Sequence, residues 1–180
     1  MCEVATELFY RRGIRAVGVD EIVNETGVTK PTLYRSYASK DQLVEVCLRN
    51  KMDATIARWD ALALSLGNDP LGQMRAILGY FAAEIGDPDY RGCALTNAAV
   101  EFPEPGHPAR AVSESSKAAL RSRLVGLARR LDVADPDALA DGLVLLIEGA
   151  STVRHTSGSQ GPAAALLKTS ETLIAAHLAS

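Results

Sequence analysis

The sequence predicts an all-α fold of about nine helices, a small N-terminal group of three followed by a larger helical domain. Three observations carry this. Apolar residues recur at helical spacing through almost all of the 180 residues, and no stretch sustains the two-residue alternation of a strand. The periodic segments are separated by Gly, Pro or Asp-Pro, which end or open helices. Hydrophobic residues make up 47% and charged residues 23%, the balance of a globular chain rather than a disordered one.

The first helix covers about residues 1–12, with Val4, Ala5, Leu8 and Phe9 on one face and Gly13 at its end. A short second helix, about 19–26, buries Val19, Ile22 and Val23 and has only Gly18 as its N-cap. Gly27-Val28 turns the chain into a third helix, about 30–37, entered by Thr29 and carrying Pro31 in its first turn. Gly27 is expected there because a Cβ would clash in so sharp a turn.

Ser39-Lys40-Asp41-Gln42 has the form of a capping box. It opens a long fourth helix through Leu43, Cys47, Met52 and Ile56 and past Trp59. Asp69-Pro70 opens a fifth, whose face of Met74, Ile77, Leu78, Phe81 and Ile85 ends at Gly86. A sixth covers about 93–101, and the proline-rich stretch 102–108 is a loop. The seventh, about 109–131, turns Val112, Leu120, Leu124, Leu127 and Leu131 inward and leaves Arg121, Arg123, Arg129 and Arg130 to solvent. Asp135-Pro136 opens the eighth helix, 157–162 is a flexible joint, and a ninth runs from 163 nearly to the end.

Leu143, Val144, Leu145, Leu146 and Ile147 are consecutive, so they ring the eighth helix. A helix apolar all round needs cover on both sides. The chain's own core supplies one side, and a second copy of the chain is expected to supply the other. Leu143, Leu146, Ile147 and Ala150, with Leu166, Leu167, Leu173 and Ile174 of the ninth helix, are the expected homodimer face.

Net charge is −3, but its distribution matters more than its sum. Residues 1–58 hold nine Lys/Arg against eight Asp/Glu, and the rest hold ten against fourteen. From Thr29 to Lys40 there are three cations (Lys30, Arg35, Lys40) and no acid. In 19–37, Ile22, Val23, Val28 and Leu33 are placed to brace two short helices against each other. That leaves Thr29, Lys30, Thr32 and Arg35 or Ser36 on the outer face of the second. Short hydroxyls and cations on such a face suit base edges and phosphates, which is the arrangement of a helix-turn-helix. Lys40, at a helix N-terminus, is expected to meet a phosphate. Tyr37 is expected in the core.

Read together, Val19-Asp20-Glu21-Ile22-Val23, Gly27-Val28-Thr29-Lys30-Pro31-Thr32-Leu33-Tyr34 and Tyr37-x-Ser39-Lys40-Asp41-x-Leu43 resemble the tetracycline-repressor family of bacterial regulators. The stretch from Gly92-Cys93 through Asn97 to Glu101 is similar to one subgroup of it. The resemblance implies a DNA-binding domain over 1–46, a ligand-binding and dimerisation domain over 47–180, and a phosphate contact from the Tyr34 hydroxyl. It implies a dimer on a double-stranded DNA operator, with half-sites about 34–36 Å apart. A small apolar or aromatic effector would bind among the fifth to eighth helices, with Trp59, Met74, Phe81, Cys93, Asn97 and Phe102 as its lining. A repressor released by that effector is the first expectation. An activator, or a DNA-binding dimer without any effector, stays open beside it.

The chain departs from the family at two sites. Val17-Gly18 stands where a Ser or Thr usually caps the second helix, and Ser36 where His or Tyr is common. The family also generally has some ten more residues, often basic, before this point.

Cys2, Cys47 and Cys93 form no C-x-x-C pair, which suits reduced thiols in the cytoplasm. No run approaches the roughly 18 apolar residues of a membrane span, so no membrane partner is expected. His107, His155 and His177 have no acid or cysteine spacing that makes a triad or a metal site. Neither an enzyme nor a cofactor or metal is expected.

Overall fold

The computed structural model describes residues 1–179. Their helices are α1 (Cys2–Arg12), α2 (Val19–Thr26), α3 (Lys30–Ser36), α4 (Lys40–Leu66), α5 (Pro70–Gly86), α6 (Ala94–Glu101), α7 (Pro108–Arg130), α8 (Pro136–Ser157) and α9 (Leu166–Leu178). A 3-10 turn, Pro162–Ala165, leads into α9, and no strand occurs among the described residues.

Helix starts follow the cap residues. Thr29, Asp69 and Asp135 each accept a backbone N–H from the first turn of α3, α5 and α8, and each of those helices has a proline in its first two positions. The Ser39 hydroxyl accepts the Gln42 amide at 3.1 Å. The Gln42 side chain returns to the amide of Ala38, one residue earlier than a capping box places it. α2 has Gly18 as its N-cap and no side-chain bond there. Gly27 ends α2 at φ +68, and nothing lies within 4 Å of where its Cβ would be. The expected clash is therefore absent, and the left-handed backbone alone explains the glycine.

The chain packs as two compact units, Met1–Ile56 with Cys93–Ser116, and Ala57–Gly92 with the chain from Lys117 onward. This packing division falls inside α4 and α7 rather than after residue 46. The reason is non-local: α6 and the start of α7 share a core with the N-terminal helices.

In the first unit that core joins Ala5, Phe9, Ile22, Leu33, Leu43 and Leu48 to Leu95, Ala98, Phe102 and Val112. Fully burying a Leu or Phe contributes about 1.5–3 kcal/mol. Polar ties supplement it at the α1–α2 connector. The Glu101 carboxylate accepts the amides of Ile14 (2.9 Å) and Arg15 (2.7 Å). The Lys40 ammonium donates to the Ile14 carbonyl at 2.6 Å. One peptide is thus held from α6 on one side and from α4 on the other.

In the second unit α8 packs on α9, and α5 packs on both. Met74, Leu78, Leu124, Leu139, Leu143 and Ile147 are fully buried. The buried Gln73 donates to the Gly67 carbonyl and accepts from Arg130, closing the α4–α5 turn. The α7 arginines expected in solvent mostly tie helices together instead. Arg121 bridges Asp137 and Asp141 of α8, and Arg123 pairs with Asp60 of α4. No helix among the described residues is long and apolar enough to cross a membrane.

The expected dimer face needs correction. Leu143, Ile147 and Ala150 of α8, with Leu166 and Ile174, lie inside the chain's own core. Leu173 rests on Gly142, where an added Cβ would approach it to 2.7 Å. Leu146 and Leu173 are half-buried and Leu167 is exposed. The outward apolar residue of α8 is Leu145, 72% exposed. Five consecutive apolar residues showed that both faces of α8 are apolar, not which residues face inward.

The Glu101 tie has a local readout. Glu101→Ala removes the acceptor of two amides, and hydrogen exchange at Ile14 and Arg15 accelerates by about tenfold or more, as roughly 1–3 kcal/mol of charge-assisted bonding is lost. Glu101→Gln, which keeps one acceptor oxygen, falls between. Unchanged exchange in Glu101→Ala would contradict the tie.

Candidate nucleic-acid interface

α2 and α3 meet through their apolar sides. Leu33 is 0% exposed and Ile22 is fully buried, and Val28 packs on the same core. Anchoring α3 by Leu33 leaves its other faces outward: Thr29, Lys30, Pro31, Tyr34, Arg35 and Ser36 are exposed, and Thr32 is half-buried. Tyr34 is 48% exposed, whereas Tyr37 packs against the core as expected. The Thr29 and Thr32 hydroxyls touch at 3.0 Å, so the cap and the first outward turn form one polar patch. Ser36 returns its hydroxyl to the Thr32 carbonyl.

The three cations of this segment are not equivalent. Lys30 pairs with Asp20 of α2 at 2.6 Å, and that carboxylate holds its ammonium above the usual lysine range. Both side chains are at least half exposed, so the pair is weak and open to exchange for a phosphate. Lys40 is turned inward to Ile14, with its ammonium 6.0 Å from the centre of the Phe9 ring. Burial lowers its pKa, outweighing Asp41 and Glu101. Arg35 is exposed and has no ion-pair partner among the described residues. Arg35 is thus the cation of α3 most ready for a phosphate, and Lys40 is a brace.

The six expected ligand residues divide between the two units. Trp59, Met74 and Phe81 belong to the second. Trp59 is 3% exposed, its ring 5.9 Å from Phe81 and overlain by the Arg123 guanidinium at 5.8 Å. Its indole N–H is buried and has no hydrogen-bond partner among the described residues. Phe81 in turn meets Tyr80 edge-on at 5.3 Å, and Met74 is fully buried.

Cys93, Asn97 and Phe102 belong to the first unit. Cys93 is the N-cap of α6, and Asn97 is half-buried on that helix. The Phe102 ring stacks on His107 at 4.1 Å, and the Arg15 guanidinium lies over it at 5.0 Å. Its place is in the brace around the α1–α2 connector.

Sequence reasoning gave no role to Glu101, Asp20 or Leu145. For Glu101 the signal was present, in the subgroup similarity of 92–101, but its partners lie 86 and 87 positions away. Helical periodicity does not reach that far.

Residues 2–47 match the sequence profile of the family described as bacterial regulatory proteins, tetR family. A transcriptional repressor of Mycobacterium tuberculosis, KstR2, is 32% identical over 77 residues, covering 43% of this chain and 38% of its own length. A transcriptional activator of Mycolicibacterium smegmatis, FasR, is 40% identical over 53 residues, 29% of this chain and 24% of that protein. The chain thus spans well under half the length of these curated relatives. Solved structures match far more of it. SCO4454, a TetR-family transcriptional regulator of Streptomyces coelicolor, superposes with a TM-score of 0.86 at 30% identity, over 98% of this chain and 91% of its own. A second regulator, sav143 of Streptomyces avermitilis, gives 0.86 and 30% over 98% and 94%. With that identity sustained across nearly the full length of both chains, this protein belongs to the tetR family of bacterial regulatory proteins.

Proposed function

We propose that this regulator binds a double-stranded DNA operator as a homodimer, inserts α3 of each copy into the major groove, and represses transcription until a small apolar or aromatic effector releases it. The observation that carries the proposal is the outward polar face of α3, clamped from behind by the fully buried Leu33. Thr29, Lys30, Thr32, Tyr34, Arg35 and Ser36 are its contact residues, hydroxyls to base edges and phosphates, cations to phosphates. KstR2 is named a repressor, which supports repression; FasR is named an activator, so activation is the second reading.

The homodimer rests on Leu145 of α8 and Leu167 of α9, two exposed apolar side chains flanked by the half-buried Leu146 and Leu173. The effector site rests on Trp59, Phe81 and Met74. A buried donor without an acceptor is costly, and a ligand supplying one would bind with that cost removed. α4 and α7 have residues in both packing units, so they are the elements through which a ligand would act on α3. A coupling of about 1–3 kcal/mol changes operator affinity roughly 5–150-fold.

Arg35→Ala lowers the slope of log affinity against log salt by about one on every DNA sequence and leaves the melting temperature unchanged. Lys40→Ala does the reverse, lowering the melting temperature with little change of slope. Fluorescence anisotropy across a salt series, beside a thermal melt, separates the two, and an unchanged Arg35→Ala slope removes that residue from the interface.

Leu145→Arg shifts the chain from dimer to monomer in sedimentation velocity while its circular dichroism is kept. A mutant that sediments as a dimer would place the contact elsewhere.

For the effector, compounds from an aromatic and aliphatic panel raise the melting temperature of the wild-type chain by mass action. Trp59→Leu loses most of that rise. A panel with no stabilising member, or equal shifts in the variant, would count against the site.

A further inference from the structure

We propose that Cys2 and Cys47 are a redox-active dithiol whose oxidation by a small hydroperoxide closes a reversible disulfide around the helix-turn-helix. The two sulfurs, 45 positions apart, lie 2.8 Å from each other, one on α1 and the other on α4. No cysteine of the chain is disulfide-bonded. Two thiols in ordinary van der Waals contact stand farther apart than this, and a disulfide needs only about 0.8 Å of further approach to its usual length of about 2.05 Å. The segment between them contains α2 and α3 entire.

The environment assigns different parts to the two thiols. Cys2 is half-buried, and the Asn50 amide donates to its sulfur at 3.6 Å, placed to hold negative charge there. Cys47 is 2% exposed, and burial first, with Cys2 next, pushes it up to about 12. A hydroperoxide therefore meets Cys2 first. The Cys2 thiolate attacks the peroxide oxygen, the O–O bond breaks, and the departing alkoxide (hydroxide, from hydrogen peroxide) takes up the proton that the Cys2 thiol gave up, leaving as an alcohol or water. The resulting Cys2 sulfenic acid is attacked by Cys47 sulfur. The S–S bond forms as the S–O bond breaks, and the departing hydroxyl takes the Cys47 proton as water. Two thiols are oxidised and one peroxide bond is reduced. Cys93 takes no part, being the N-cap of α6.

The test treats the reduced full chain with equimolar hydrogen peroxide and maps its peptides by mass spectrometry without reductant. The expected product has lost two hydrogen masses in a Cys2–Cys47 cross-linked pair, keeps the Cys93 thiol, melts at higher temperature, and returns to its starting melt with dithiothreitol. In Cys47→Ser, dimedone captures a sulfenic acid at Cys2; in Cys2→Ser, Cys47 stays a thiol. Should the serine variants fail to fold, the wild-type map decides alone. A cross-link through Cys93, one between two chains, or over-oxidation of Cys2 without a cross-link would overturn the proposal.

Discussion

The geometry of the DNA-binding unit depends on one peptide, that of Ile14. In the peptide that joins Ile14 to Arg15, the Arg15 amide is held by the Glu101 carboxylate and the Ile14 carbonyl by the Lys40 ammonium, and the Ile14 side chain is 4% exposed in the core. Connectors between helices carry N–H and C=O groups with no intrahelical partner, and these must be satisfied somewhere. Here two opposite charges satisfy them from two different helices. Charge-assisted bonds to a half-buried connector are worth more than neutral ones, and their loss leaves polar groups stranded. The connector sets where α2 begins, α2 positions α3 through Ile22 and Leu33, and the outward face of α3 follows from that.

This arrangement reassigns charge within the recognition unit. A lysine at a helix start reads from sequence as a phosphate ligand, because a helix N-terminus and a cation both favour anions. The Ile14 carbonyl captures it instead, and burial in that place lowers the ammonium's pKa. The outer face of α3 then has Arg35, unpaired among the described residues, and Lys30 in exchangeable contact with Asp20. An exposed ion pair adds little to stability and is screened by salt, so trading Asp20 for a DNA phosphate is nearly free of cost to the fold. Arginine at the outward position also offers a planar fork that suits a phosphate better than an ammonium does.

The helices were legible in the sequence almost to the residue. Several starts carried their caps, as Asp69-Pro70 and Asp135-Pro136 did, and several stops a glycine, as Gly13, Gly27 and Gly158 did. Those signals act over a single turn, so local pattern suffices to find them. The face of α3 was legible too, since Leu33 and its neighbours have helical spacing. What was not legible depended on contacts between distant segments. Glu101 reads as an ordinary helix-end acid until Ile14 and Arg15 are seen beside it. Phe102 reads as an apolar lining residue until His107 and Arg15 cover it. Periodicity states that a side chain is buried and is silent about its neighbours, and for that reason it does not reveal that the six expected ligand residues divide between two packing units.

The same limit applies to α8, and resolving it sharpens the case for a second copy. Once Leu143, Ile147 and Ala150 face the core, the outward stripe of the helix reads Asp141, Leu145, Gly149 and Thr152. Asp141 is already matched by Arg121, and the other three carry no charge. Elsewhere the second unit's surface is laced with ion pairs, Arg75 with Glu171 and Arg123 with Asp60 among them. In a two-fold contact each residue near the axis meets its own copy, so a charge there would face its like. An apolar residue meets no such penalty, and small neighbours such as Gly149 let two helices approach closely. A stripe of Leu, Gly and Thr between charged margins is the composition that a self-complementary contact demands. It is also an odd one for a helix that faces only water.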